Sequence, residues 1–346
     1  MLAGWGAARE AEVIGGRALD VGASPSCRNE PERRKTGGRR LNGAGIVLIL
    51  AASLKQVTPM HATLQPEAAG AEERFVPVER IAGALDAGAI VICDHASNRI
   101  PAEYAELGLS GRSLERHIAY DIGAAWLTRQ LARLLGAPAV LSTFSRLLID
   151  PNRGADDPTL VMRLSDGAIV PGNARIGADE IERRRRLYWA PYRNAIAETV
   201  DAMRATGTAP AVVSIHSFTP IWRTAVRPWK VGVLWDKDPR LAVPLLQALA
   251  AEVDLAPESV GDNEPYDGAL EGDTIDDIAT TRGLANALIE VRQDLIATEA
   301  GALAWAERLS RLLQPILAQP ELRKAADFGS RASGQRRLRT PGMTLP

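Results

Sequence analysis

Two short apolar runs each end in a histidine, and nothing else in this chain constrains its fold as strongly. Ala211-Val212-Val213-Ser214-Ile215 leads into His216, and Ala89-Ile90-Val91-Ile92-Cys93 leads through Asp94 into His95. Runs of this length, rich in β-branched residues, read as strands buried on both faces. The carboxyl ends of such strands are where open α/β sheets gather their ligands. The chain has only 4 histidines, so two of them in matching positions point to a site rather than to packing.

The rest of the pattern alternates. A helix is expected over 114–135, with apolar Ile118, Ile122, Trp126, Leu127, Leu131 and Leu134, closed by Gly136 and Pro138. A strand follows at 139–141, and Leu147-Leu148-Ile149 precedes Asp150. The segment 158–175 has no sustained period and reads as an active-site loop. Asp179 opens a helix to about Ala205, whose basic stretch Arg183 to Arg186 reads as a solvated face. Beyond the His216 strand come a Trp- and Arg-rich loop (220–230), a strand (231–235), a helix (240–252), a strand (287–291) and a closing helix (298–317). This alternation predicts an α/β fold, a mostly parallel central sheet with helices on both faces.

One domain over 75–320 is expected, since no repeat or compositional break divides it. Residues 1–70 are rich in Gly, Ala and Arg without clear period and read as a poorly ordered leader or an over-extended start, with Met60 as the alternative beginning. His61 falls there and is assigned nothing. The apolar stretch 45–52 is far shorter than the ~20 residues of a membrane span. The polar, basic segment 326–346 reads as a disordered tail.

At 346 residues the chain can bury one large α/β core. With 41 basic against 42 acidic side chains, a net charge of −1, no global field draws it to nucleic acid or to an anionic membrane. Its 2 cysteines, Cys27 and Cys93, make neither a disulfide framework nor a cysteine-rich metal site, which fits a cytoplasmic protein. There is no glycine-rich nucleotide loop and no Gly-x-Ser-x-Gly elbow.

The chemistry then rests on a few positions. His95 and His216 are nitrogen donors for a metal, and catalytic zinc needs about three protein ligands and one open position. Asn98, three residues after His95, stands where an acidic ligand would be ideal. Asp94 is the nearby carboxylate, but strand alternation turns it away from its neighbour. Glu290 ends the run Leu288-Ile289-Glu290, and a carboxylate there is costly unless it is paired or used; a structural ion pair with Arg292 is the other account of it. Asp150-Pro151-Asn152-Arg153 follows the Leu147 run, where arginine can polarise a carbonyl or grip a carboxylate through two bonds, although the same residues favour a plain turn. His117 and Asp121 are spaced as one helix face and can be a ligand, a supporting bond or a surface pair. Arg146, Arg163, Arg223 and Arg227 are further cations that an acidic substrate could meet.

Five blocks in order, Asp94-His95-Ala96-Ser97-Asn98-Arg99-Ile100-Pro101, His117 to Gly123, Asp150 to Arg153, His216-Ser217-Phe218 and Ile289 to Ile296, resemble the N-formylglutamate amidohydrolase family. The likeness runs from about Ala89 to Leu317. It implies a fold like that of the zinc carboxypeptidases around one zinc ion, with His95, His216 and Asn98 toward the metal. It also implies Glu290 as general base, Arg153 polarising the scissile carbonyl, and Asn152, Arg146, Ser217 and Arg223 toward an acidic small-molecule substrate. The expected reaction is hydrolysis of N-formyl-L-glutamate to formate and glutamate. An amidase or peptidase for other N-acyl substrates, or a binding protein that keeps the pocket, are the alternatives. Two positions depart from the family pattern: Asn98 replaces a charged ligand, and Ile278 stands where a histidine usually precedes Arg282-Gly283-Leu284.

Overall fold

Long β-branched runs bury themselves as strands when helices cover both of their faces. The computed structural model describes residues 75–332. The leader, Met60, His61 and everything beyond 332 lie outside the described residues.

In chain order the strands are β1 (Val78–Ile81), β2 (Ala89–Cys93), β3 (Ala139–Ser142), β4 (Leu164–Ser165), β5 (Ala168–Ile169), β6 (Ala211–Phe218), β7 (Ile221–Trp222), β8 (Ala225–Val226), β9 (Val231–Leu234), β10 (Val260–Asp262) and β11 (Asn286–Arg292). The helices are α1 (Gly111–Leu114), α2 (Ala124–Leu135), α3 (Ala178–Arg184), α4 (Ala190–Arg204), α5 (Pro239–Ala250), α6 (Thr274–Ile278) and α7 (Glu299–Leu317). Among the described residues, 7 strands form one sheet in the order β1-β3-β2-β6-β11-β9-β10. Its pairs β3–β2, β2–β6, β6–β11 and β9–β10 are parallel, while β1–β3 and β9–β11 are antiparallel.

Alternate residues of the central strands feed two cores. Val91, Cys93, Val213, Ile215 and Ile289 pack under α2, α5 and α7, through Leu127, Leu131, Leu241, Leu245, Leu309 and Leu313. Ile90, Ile92, Val212 and Leu288 pack on the opposite face against α4 and α6, through Tyr192, Ile196, Val200, Ile275 and Ile278. Each fully buried leucine contributes about 2 kcal/mol of apolar transfer free energy, so both faces of the sheet are anchored independently. The chain passes from β2 to β3 on one side and later enters β6 on the other. That reversal of direction opens a crevice at the carboxyl ends of β2 and β6.

The fold departs from the sequence pattern at three places. The helix expected over 114–135 is broken: after α1 the chain runs through turns to Gly123, and α2 begins only at Ala124. Gly123 sits at φ 82, the left-handed region that glycine adopts freely, and ends the apolar periodicity where the helix starts. The loop 158–175 contains the small β4–β5 hairpin. The first part of the expected tail is tied down: the Ala326 N–H donates to the Gly283 carbonyl at 2.8 Å, and Arg331 pairs with Asp236 and Asp267. No helix among the described residues is long and apolar enough to cross a membrane.

Candidate active site

β6 and β11 run parallel with Glu290 directly opposite His216. Both side chains follow the parity of Val212 and Leu288, so they leave the sheet on the α4 and α6 face. Asp94 shares that face, one residue beyond the end of β2, and His95 lies past the strand where alternation no longer governs it. The Asp121 N–H donates to the His95 carbonyl at 2.9 Å, which brings the 115–123 turn alongside. The Ser217 hydroxyl donates to the Ile122 carbonyl at 2.9 Å and fastens the same turn to β6.

These contacts close a buried cluster of His95, Asp121 and His216, whose donor atoms lie within 4.8 Å of one another. Asp121 Oδ2 is 2.8 Å from His216 Nδ1 and 3.4 Å from His95 Nδ1. The two imidazoles meet edge to face, 4.9 Å between centroids. Their outer nitrogens are each held by another carboxylate: His95 Nε2 donates to Asp150 Oδ1 at 2.7 Å and His216 Nε2 to Asp94 Oδ2 at 3.1 Å. Asp94 is in turn fixed by the Thr274 hydroxyl (2.5 Å) and the Ser214 hydroxyl (3.2 Å). Asp150 takes Arg146 Nη2 at 2.7 Å and the Asn152 N–H at 2.9 Å.

That wiring decides what the cluster suits. A neutral imidazole has one N–H and one lone pair. With Nε2–H committed to Asp94 or Asp150, the His216 Nδ1 lone pair turns toward the Asp121 carboxylate at 2.8 Å, an arrangement that repels unless a cation lies between, while the His95 Nδ1 lone pair faces the Arg146 guanidinium. Two imidazole nitrogens and one carboxylate oxygen, with the outer nitrogens held by carboxylates, make a donor set that could hold one divalent metal ion. Without such a cation a proton takes its place. Burial disfavours a charged His216, but the hydrogen bonds it donates to Asp121 and Asp94 outweigh it and raise its pKa well above the usual range. Asp121 shifts far the other way: burial opposes its charge, and the paired histidines overcome that.

Glu290 completes the arrangement. It is 6% exposed, and its Oε2 has no hydrogen-bond partner. Burial, reinforced by the charge of Asp121 and opposed by His216, pushes it up to about 7. Tyr266 lies beside it: burial raises the phenol, the charge of Glu290 adds to the rise, and Arg227 opposes it.

The residues singled out from sequence divide clearly. His95, His216 and Glu290 come together. Asn98 does not join them; its amide nitrogen donates to the Leu114 carbonyl at 2.9 Å, and the carboxylate between the histidines is Asp121. Arg146 pairs with Asp150, and its Nη1 lies 3.2 Å from His95 Nδ1, so this N–H must turn aside for a metal. Asn152 Oδ1 accepts from the Thr274 N–H at 3.0 Å. The Arg153 carbonyl is held by Trp189 and Arg193, whereas its half-buried guanidinium makes no hydrogen bond or ion pair among the described residues. Arg223 is exposed at the turn of the β7–β8 hairpin, and four residues on Arg227 is buried. His117 is not on a helix with Asp121; it lies 3.3 Å from Asp166. Ile278 is buried in the apolar core.

The sequence pattern does not single out Asp94 and Asp150 as holders of the histidines, Thr274 as the residue that fixes Asp94, or Arg193 as the brace behind them. From inside α4, Arg193 donates to the carbonyls of Pro151, Arg153, Gly272 and Asp273, joining the 151–153 turn to the start of α6. In sequence its only signal is a cation on the apolar stripe of a helix, next to Tyr192 and Ile196.

The model of the N-formylglutamate amidohydrolase family matches residues 87–297. A gene product of Agrobacterium tumefaciens, Atu2144, is 34% identical, with 71% of this chain and 96% of that one covered at a TM-score of 0.65. The N-formylglutamate amidohydrolase of Ralstonia eutropha JMP134 is 22% identical, with 70% and 97% covered at a TM-score of 0.54, a likeness of fold. No curated protein matches this chain.

Proposed function

Because the chain belongs to the N-formylglutamate amidohydrolase family, and is thus an amidohydrolase-type enzyme, we propose that it hydrolyses N-formyl-L-glutamate, or a closely similar N-acyl acidic amino acid, to formate and glutamate. One observation carries the reading: the unpartnered Glu290 carboxylate stands on the same face as the buried His95–Asp121–His216 cluster, in register with His216.

His95, Asp121 and His216 would hold one divalent ion, zinc by its donor set. When bound, such an ion polarises a carbonyl and lowers the pKa of a water toward neutrality. Glu290, raised to about 7, takes the proton of the attacking water at Oε2 as that water adds to the formyl carbon. It then returns the proton to the departing nitrogen, a shuttle that works best when the pKa sits near the operating pH. Arg153, whose guanidinium makes no hydrogen bond among the described residues, donates to the carbonyl oxygen as negative charge grows there. Asn152 and Arg146, at the Asp150 turn, face the substrate carboxylate nearest the scissile bond. Ser217 serves through the Asp121 turn it fastens, and Arg223 attracts the anionic substrate from the rim. The resulting enzyme needs no membrane or nucleic-acid partner and works in the cytoplasm.

The test pairs wild type with Glu290→Gln. Wild type should release formate and glutamate in equal amounts from N-formyl-L-glutamate. The variant should lose roughly 10²–10⁴-fold in kcat while calorimetry shows substrate affinity within a few-fold of wild type. Equal turnover by the two proteins, or no formate from wild type, would overturn the reading.

A further inference from the structure

Arg227 is a buried cation without an anion. It is 8% exposed, yet no carboxylate among the described residues forms an ion pair with it. Its Nη1 makes two long hydrogen bonds, 3.3 Å to Thr219 Oγ1 and 3.4 Å to the Thr219 carbonyl, and the guanidinium also hydrogen-bonds the Tyr266 hydroxyl, so every polar partner it has is neutral. Three rings surround the guanidinium instead, with Tyr266 at 5.0 Å, Trp222 at 5.2 Å and Phe218 at 5.6 Å from centroid to Cζ. Aromatic faces offset part of the cost of burying a cation, but they do not supply the anion that its planar fork pairs with best.

Its place in the fold gives that fork a direction. Phe218 lies two residues beyond His216 on β6. Arg292, two residues beyond Glu290 on β11, donates to the Arg227 carbonyl at 3.4 Å. The guanidinium therefore stands at the carboxyl edge of the two strands that deliver His216 and Glu290, and the Tyr266 ring it stacks on feels the charge of Glu290 as well. An N-formyl acidic amino acid has two carboxylates, one next to the scissile amide and one at the end of its side chain. Arg153 and Arg146 lie at the Asp150 turn beside His95, near the first. Arg227 lies on the other strand end, stacked on Phe218 two residues beyond His216.

We infer that Arg227, caged by Phe218, Trp222 and Tyr266, binds the side-chain carboxylate of the substrate and sets the preference for an acidic over a neutral side chain. The inference rests on the amidohydrolase reading and adds to it the residue that selects the substrate. A buried cation left without its anion rejects a neutral isostere, because the unpaired group keeps its desolvation cost.

The experiment measures kcat/KM for N-formyl-L-glutamate and for N-formyl-L-glutamine in wild type, Arg227→Gln and Arg227→Lys, with a melting curve for each. The glutamate-to-glutamine ratio should fall about 100-fold in Arg227→Gln, chiefly through KM for the acidic substrate. Arg227→Lys, which keeps the charge but loses the fork, should fall between. If both substrates decline in parallel as the melting temperature drops, or if the ratio does not move, Arg227 is structural and the inference is wrong. A wild type that releases formate from neither substrate would overturn the amidohydrolase reading itself; a wild type that hydrolyses both at a ratio the variants leave unchanged overturns this inference alone.

Discussion

Asp121 shows at the scale of one residue how a site can be half legible. His95 and His216 stand out in sequence because each ends a buried strand. Asp121 reads only as half of a His117 pair open to several roles, since its approach depends on a turn 26 residues downstream, tied to the His95 carbonyl and fastened by Ser217. Asn98 drew attention by spacing alone, and a neutral amide committed to the Leu114 carbonyl supplies no charge. Metal content should separate the two positions. Asp121→Asn should lower bound zinc after equilibrium dialysis by 10-fold or more in affinity, because a charged donor becomes a neutral one. Asn98→Ala should keep near-stoichiometric metal. The reverse pattern would place Asn98 in the donor set after all.

The elements around the cluster carry the conformational demands. Gly123 closes the Asp121 turn at φ 82, and a β-carbon there would fall 2.1 Å from the Ile296 carbonyl oxygen. Gly123→Ala should destabilise the fold by roughly 3 kcal/mol, read from urea unfolding, and it should lower metal affinity along with stability. Unchanged unfolding would mean the turn is not built as described. The same glycine explains why the apolar period from Ile118 to Leu134 misled: periodicity records which side chains are buried, not whether the backbone between them is helical. A second case is Asp273, the N-cap of α6, whose carboxylate accepts from the Asp276 N–H. Burial pushes it up to about 7 from an ordinary 3.8, although that hydrogen bond and Arg193 favour its charge. The native state thus holds a proton that the unfolded chain releases near 3.8, so this group costs stability as pH rises from about 4 to 7. Asp273→Asn keeps a capping oxygen and removes the titration. Relative to wild type it should gain stability with rising pH across that window and level off above it, by up to roughly 4 kcal/mol. A difference flat between pH 5 and 8 would contradict the shift.

Across the whole molecule the sheet order does the organising. The general architecture was legible because strand and helix periods alternate strongly from β2 to α7. The antiparallel entry of β9 beside β11 was not, since both strands read only as short apolar runs and nothing local records direction. The crevice between β2 and β6 collects His95, Asp121 and His216 with Glu290 beside them, and three carboxylates converge there on two histidines. Such a concentration of buried charge calls for a compensating cation. The most direct measurement is therefore formate release from N-formyl-L-glutamate by protein of known metal content, before and after chelation and after zinc is returned. A zinc-dependent mechanism predicts about one metal ion per chain, loss of formate release on chelation, and recovery with zinc. Formate release that persists in metal-free protein would contradict it.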